Sequence, residues 1–183
     1  MGAQIKTLIP TDELTLTDKM GFRKQAIEAG LNRALAVGVI PNREQGVVRH
    51  ADPVTDFGMV AGGWLTAALA VAGTQYSCFN ALTPTLANNR VAVFYAVAVE
   101  TFPIPINLLA FREGVAAGTT YAIFDVEQLS TMQQQLGYFS NPVVYDPQRV
   151  LNVVVTCRIV TAAVARVWLG CYIIEPGGPV ISG

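Results

Sequence analysis

The chain is 183 residues long with a formal net charge of −1, a length that suits one domain with an added arm and a core that needs no disulfide or metal. Charged residues make up 14% of it and mean hydropathy is +0.41, where about a quarter charged is usual for a soluble domain. The near-neutral balance and the lack of a basic stripe speak against nucleic acid as a direct partner. The scarcity of charge is also local. From Met1 to Asp56 roughly one residue in four is Asp, Glu, Lys or Arg, whereas from Phe57 to Gly183 it is fewer than one in ten, and the last lysine is Lys24. A folded surface that is short of charge is expected to be covered by copies of itself, another protein or lipid.

In chain order, Met1-Gly2-Ala3-Gln4-Ile5-Lys6 lacks the apolar stretch of a signal peptide and the Ser or Thr of a myristoylation site. Residues 1–16 have no sustained period and include Pro10, so they read as an extended arm. Thr17 or Asp18 can cap a helix that runs from Lys19 to about Ala36. Met20, Ile27, Leu31 and Leu35 form its apolar stripe, with Phe22, Ala26 and Ala29 beside it. Gly21 and Gly30 each weaken such a helix by roughly 1 kcal/mol relative to Ala, and Gly38 and Pro41 end it. Asn42–Asp56 is polar and turn-rich. Phe57–Thr74, FGMVAGGWLTAALAVAGT, is about long enough to span a bilayer, but its apolar weight is mostly Ala, three glycines open it and no Lys or Arg flanks it. Trp64–Phe79 reads instead as one long or two short strands.

Asn88-Asn89 is a turn dipeptide that fits a hairpin. Arg90–Glu100 is apolar on both faces of a strand, Val91, Val93, Tyr95, Val97 and Val99 on one, and Ala92, Phe94, Ala96 and Ala98 on the other. Such a strand is covered on both sides. Pro103 and Pro105 place the next segment on an edge or bulge. Strands follow at Asn107–Arg112 and Thr119–Leu129, on either side of the loop Glu113–Gly118. Ser130–Asp146, with Gly137 and Pro142, reads as a long connection. Arg149–Val160 and Ala165–Glu175 read as strands joined in a hairpin near Thr161-Ala162-Ala163, and Pro176-Gly177-Gly178-Pro179 stops the domain.

Chemistry-bearing patterns are few. Cys78, Cys157 and Cys171 form no C-x-x-C pair and sit in apolar, strand-like contexts, as small buried hydrophobes do. His50, the single histidine, lies in a polar loop with no cysteine or carboxylate cluster to make a metal site with it. Asp125 and Glu127 are two apart on one strand face, the spacing of an acid–base pair or of partners for Arg112 or Arg158. Arg90, Arg112, Arg158 and Arg166, with Glu100, Glu113, Asp125 and Glu127, suit bridges between subunits or exposed strand ends. Gly62-Gly63 precedes strand-like sequence and so does not read as a phosphate cradle. No nucleotide-binding, hydrolase or metalloprotease motif occurs.

The segments NRVAVFYAVAVE, FREGVAAGTTYAIFDVEQL, NPVVYDPQRVLNVVVTCR and ARVWLGCYIIEP resemble small virion structural proteins of tailed bacteriophages, in particular the cement or decoration proteins of icosahedral heads. The resemblance implies a β-sandwich or jelly-roll domain, a trimer, and terminal arms that grip the shell. Together with the residue patterns it gives a mainly β fold: an antiparallel sandwich of about seven or eight strands, preceded by an arm and one amphipathic helix. Residues 1–56 are expected to form arm, helix and linker, 57–176 the sandwich, and 177–183 a tail. The function expected is a capsid cement protein, not an enzyme and without cofactor. It would act in the virion, be made in the host cytoplasm, and be partnered by itself and the major capsid protein, with no membrane. A jelly-roll major capsid protein is the alternative. A membrane-embedded subunit using Phe57–Thr74, or a small ligand-binding or enzyme β domain using Asp125 and Glu127, are alternatives from other classes. Met20, Ile27, Leu31, Leu35, Phe94, Tyr95 and Trp168 are the expected interface residues.

Overall fold

A computed structural model describes residues 4–60, 64–80, 82–115, 118–132 and 134–177. Gly62-Gly63, Ala116-Ala117 of the expected loop, and all of the C-terminal tail but Gly177 lie outside them. The chain starts with β1 (Gln4–Lys6) and β2 (Leu8–Pro10), then α1 (Leu16–Ala36), β3 (Gly46–His50) and the short α2 (Pro53–Phe57). β4 (Thr66–Leu69), β5 (Gln75–Ser77), β6 (Val91–Val99), β7 (Ile106–Glu113) and β8 (Thr119–Asp125) follow. β9 (Leu136–Tyr145), β10 (Leu151–Cys157) and β11 (Thr161–Pro176) complete the described elements. Two sheets form, ordered β1-β8-β7-β10-β5 and β2-β9-β6-β11-β3, with β4 also paired to β11. All pairings but β1 with β8 are antiparallel. The fold is the mainly β sandwich with one amphipathic helix that the sequence implies, with eleven strands among the described residues.

The extra strands come from segments rich in breakers. Ser130–Asp146 is not a plain connection, because it contains β9, a partner of the central strand β6. Gly137 is the partner of Pro10 in the β2–β9 ladder, and a Cβ there would sit 2.7 Å from Leu8 Cγ. Pro142 falls where the register with β6 jumps, between the pairs Phe94↔Val143 and Ala96↔Tyr138, a place where a missing N–H costs no ladder bond. The arm of residues 1–16 holds two edge strands, β1 on one sheet and β2 on the other, and Leu8 enters the interior. β10 and β11 do not form a hairpin, because the turn between them crosses from one sheet to the other. Asn88 and Asn89 do make a turn, but the strand that follows pairs with β9 and β11.

The irregularity in β6 changes what the strand buries. Ala92 and Phe94 face the space between the sheets, and Val91, Val93 and Tyr95 face outward. Beyond Tyr95 the sides exchange, with Ala96 outward and Val97 and Val99 inward. Both neighbouring ladders shift at this point, so Tyr95 is an extra residue that resets the two-residue alternation. A Cβ on Gly170, opposite on β11, would lie 2.9 Å from Tyr95 Cζ, so the ring occupies the room that the glycine leaves.

The inner core is aromatic. Phe94, Phe111, Phe124, Phe139 and Tyr145 meet edge-on or stacked, with Phe57, Trp64 and Phe79 continuing the cluster. The Tyr145 hydroxyl donates to the Arg112 carbonyl at 2.8 Å, joining the two sheets through the interior. Phe57, Met59, Trp64, Leu65 and Leu69 all lie in this core, so the described part of Phe57–Thr74 supplies the end of α2, the strand β4 and core side chains. Among the described residues no helix is long and apolar enough to cross a membrane.

Candidate functional site

Which surfaces remain available is decided by α1. A capping box starts the helix at Thr15, earlier than the sequence suggests. Thr15 Oγ1 accepts from the Asp18 amide, and the Asp18 carboxylate accepts from the Thr15 amide. Its end is a Schellman arrangement, with Val39 N–H bonded to Ala34 O, Gly38 N–H to Leu35 O, and Gly38 at φ +76°. The face that docks is the stripe of small residues Ala26, Gly30 and Ala34, with Phe22, Ile27 and Leu31 alongside. It lies on β6, β9 and β11, over Val91, Val93, Tyr95, Tyr138, Tyr172 and Ile174. A Cβ on Gly30 would come within 2.4 Å of Ile174 Cδ1 and 2.7 Å of Val93 Cγ2. Here the glycine is what lets the helix approach the sheet.

Below the N-terminal half of the helix, Tyr95 and Tyr172 stack at 4.7 Å, Tyr138 stacks on Tyr95 at 6.2 Å, and Phe22 covers Tyr138. Burial pushes the Tyr95 hydroxyl well above the ordinary phenol range, and the neighbouring Tyr172 adds to the shift. At the other end, Arg33 clamps the helix to the end of β9 through a two-pronged pair with Asp146, at 2.6 and 2.5 Å.

A second polar cluster closes one end of the sandwich. The Asp56 side chain is fully buried and receives Arg49 through two bonds of 2.6 and 2.7 Å and Arg90 at 3.0 Å. Glu175 takes the other side of both guanidiniums at 2.8 Å. The Asp52 amide donates to Asp56 as well. Burial works to raise the Asp56 carboxyl, and the bonds from Arg49 and Asp52 with the two positive charges outweigh it, so its pKa lies below the carboxylate range. Hydrogen bonding from Arg49 is the main cause of the lowered pKa of Glu175. Two cations and two anions cancel, which makes the cluster a structural clamp between β3, α2, the start of β6 and β11.

The expected interface residues divide three ways. Phe94 is in the inner core and Tyr95 lies beneath α1, so both are buried within a single chain. Ile27 and Leu31 pack onto the same sheet. Met20 at 62%, Leu35 at 41% and Trp168 at 38% relative exposure remain on the surface. The apolar stripe expected along the helix therefore splits, and its larger members at both ends face away from the sheet. Asp125 and Glu127 do not share a strand face. Asp125 ends β8 and accepts the Glu127 amide at 2.9 Å, while Glu127 starts a 3-10 turn and pairs with Arg158 at 2.6 Å. Arg166 pairs with Glu100, and Arg149 with Glu113, inside the chain. His50 is exposed against the Tyr172 ring. The three cysteines are free and buried, with thiols raised by burial. Among the described residues no group of three or more His, Cys, Asp or Glu side chains is placed to hold a metal ion.

Two surfaces keep apolar side chains exposed. One is the outer face of the first sheet, where Ile5, Ile123, Ala110 and Val154 lie side by side in register across four strands, with Leu108 in the next row. Ile5 and Leu108 are exposed there and Ile123 is half-buried, while Ala110 and Val154 are buried between their neighbours. The helix packs on the other sheet. The second surface is an end of the sandwich. There the β4–β5, β6–β7 and β10–β11 turns are tied together by Gly73 N–H to Cys157 O and by the Arg158 and Ile159 amides to Pro105 O. They expose Val71, Phe102, Ile159 and Val160. Neither surface was legible as such in the sequence, because each gathers residues from several distant strands or turns.

No protein-family model and no curated protein matches this chain. Its structure is similar to the infectious bursal disease virus VP2 subviral particle, at 12% identity and a TM-score of 0.41, over 75% of this chain and 35% of that one. It is also similar to the tobacco streak virus coat protein, at 11% identity and a TM-score of 0.36, over 76% of this chain and 90% of that one. The chain thus spans about a third of the length of the first of these.

Proposed function

We propose that this chain is a structural subunit of an icosahedral phage head, of the cement or decoration type, working by contact and not by catalysis. The observation that supports this reading is the unequal covering of the sandwich. One sheet is sealed by the chain's own helix, while the other sheet and one end leave apolar side chains such as Ile5, Leu108, Phe102 and Val160 in water. Contiguous apolar surface of this kind marks a protein–protein contact. Each buried side chain contributes roughly 1.5–3 kcal/mol, and many copies of a modest contact add up in a shell. Its partners in this reading are its own copies, as a trimer closed by the apolar end, and the major capsid protein of the same virion.

The test is a solution mass of the purified chain without detergent, followed by addition to heads stripped of accessory proteins. The reading expects a discrete multiple of 19.6 kDa that co-sediments with the heads. Closed shells formed by the chain alone would assign it as a major capsid protein. A monomer at all concentrations, with no binding to heads, would contradict a structural role.

A further inference from the structure

The outer face of the first sheet carries charge at two points, on opposite sides of its apolar rows. Asp125 stands on β8 at the level of Leu108. Arg112 starts from β7 and reaches toward the far edge, where its Nη1 donates to Gln75 Oε1 of β5 at 2.8 Å. Its Nε is buried and has no hydrogen-bond partner. Arg49, Arg90, Arg149, Arg158 and Arg166 each have a carboxylate partner in the chain. Among the described residues Arg112 has none, and Asp125 has no cation, its carboxylate accepting instead from the Glu127 amide.

The guanidinium lies on the β5 side of the face, and the carboxylate on the β8 side at a matching level, because Gln75, Thr156, Leu108 and Asp125 are successive partners in register. A two-fold axis between β7 and β10 exchanges β8 with β5 and β7 with β10. It lays the β7–β10 part of one copy on that of the other and brings Arg112 of each copy to Asp125 of the other. In such an isologous contact both pairs form at once.

We propose that this face is a homotypic two-fold interface, occupied by a second copy of the same chain and held in register by two Arg112–Asp125 pairs. The proposal rests on the reading of the chain as a self-assembling subunit, and it fixes the partner and symmetry of one of its surfaces. A cyclic trimer must use another surface, so the two-fold joins one trimer to the next.

Charge reversal and mixing test it on the full chain. Arg112→Asp places two like-charge pairs in the interface, and so does Asp125→Arg. Each variant alone should associate about a hundredfold more weakly through this face. An equimolar mixture of the two restores opposite charges at both positions and should return the sedimentation profile of the wild type. That recovery also shows that both variants fold. Single variants that sediment as wild type would overturn the interface and leave self-assembly through other surfaces standing. Weakening that the mixture does not reverse would overturn the Arg112–Asp125 pairing. A wild-type chain that never associates would overturn both this proposal and the reading beneath it.

Discussion

The two outer sheet faces are built from similar residues and meet opposite fates. Over β6, β9 and β11, valines, isoleucine and tyrosines are sealed by α1. Over β7, β8 and β10, no helix among the described residues packs above Leu108, Ala110, Ile123 and Val154, of which Leu108 is exposed, Ile123 half-buried, and Ala110 and Val154 buried. The difference lies in the chain N-terminal to each face. The segment before β3 carries a capped helix with a small-residue stripe, Ala26, Gly30 and Ala34, that can approach a sheet closely. Among the described residues the N-terminal segment gives the other sheet the short β1, which extends an edge without covering a face. Composition alone therefore does not tell a covered face from a docking face, and the length and small residues of the covering element do.

Removal of the helical cover should have the greatest consequence. Deleting residues 1–40 takes away α1, Leu8 from the inner core and an edge strand of each sheet, and leaves Val91, Val93, Tyr95, Tyr138, Tyr172 and Ile174 open to water. The truncated chain should lose its cooperative thermal transition and aggregate. A truncation with an unchanged circular dichroism spectrum and melting transition would show that the helix is dispensable.

The clamp at the end of the sandwich comes next. Asp56→Ala leaves Arg49 and Arg90 facing only Glu175 and should cost about 3 kcal/mol in chemical denaturation, as loss of one partner from a buried pair does. The same cluster sets an acid limit. In the folded chain Asp56, Glu175 and, through its bonds from Arg33, Asp146 have pKa values below their ordinary range. Their contribution is complete above the unfolded-state values near pH 4 and is lost as pH falls through the lower folded-state values. The denaturation midpoint of the wild type should fall in that window, and that of Asp56→Ala should fall less. Equal acid sensitivity in both would remove Asp56 from the account.

The two helix glycines sharpen the comparison at smaller scale. A Cβ on Gly21 would have nothing within 4 Å, whereas one on Gly30 would meet two fully buried side chains. Gly21→Ala should stabilise by about 0.5–1 kcal/mol through helix propensity. Gly30→Ala gains the same propensity but overpacks the interface by about 1–3 kcal/mol, so its net effect should be destabilising. Matching gains from both substitutions would mean that the helix does not lie close on the sheet.

These contrasts also mark what the sequence could tell. β6 was legible because its residues are apolar on both sides, and the helix because its period runs to the glycine at position 38. The docking side of the helix was not, since a stripe is read from large residues while the close contact with the sheet selects Ala26, Gly30 and Ala34. The inward and outward sets of β6 were right only up to Tyr95, because a bulge leaves no mark in a run of Val, Ala and Tyr. β9 was hidden by Gly137 and Pro142, which serve the close approach of Leu8 and a register jump. The clamp of Arg49, Asp56, Arg90 and Glu175 joins segments too far apart for any spacing to announce. Of the expected interface residues, those left exposed are the ones at the helix ends and Trp168 on β11.

In the proposed assembly one sheet face is closed within the chain and the other by a second copy. Thiol labelling reads both in one experiment, because Cys78, Cys157 and Cys171 are buried and their thiols are raised. Leu108→Cys places a reporter on the bare face, and Leu35→Cys places one on the solvent side of α1. As the chain is concentrated from dilute solution into its assembled form, labelling at position 108 should slow and labelling at position 35 should not change. A rate at position 108 that stays constant while the mass rises, or protection that appears at position 35 instead, would contradict the account.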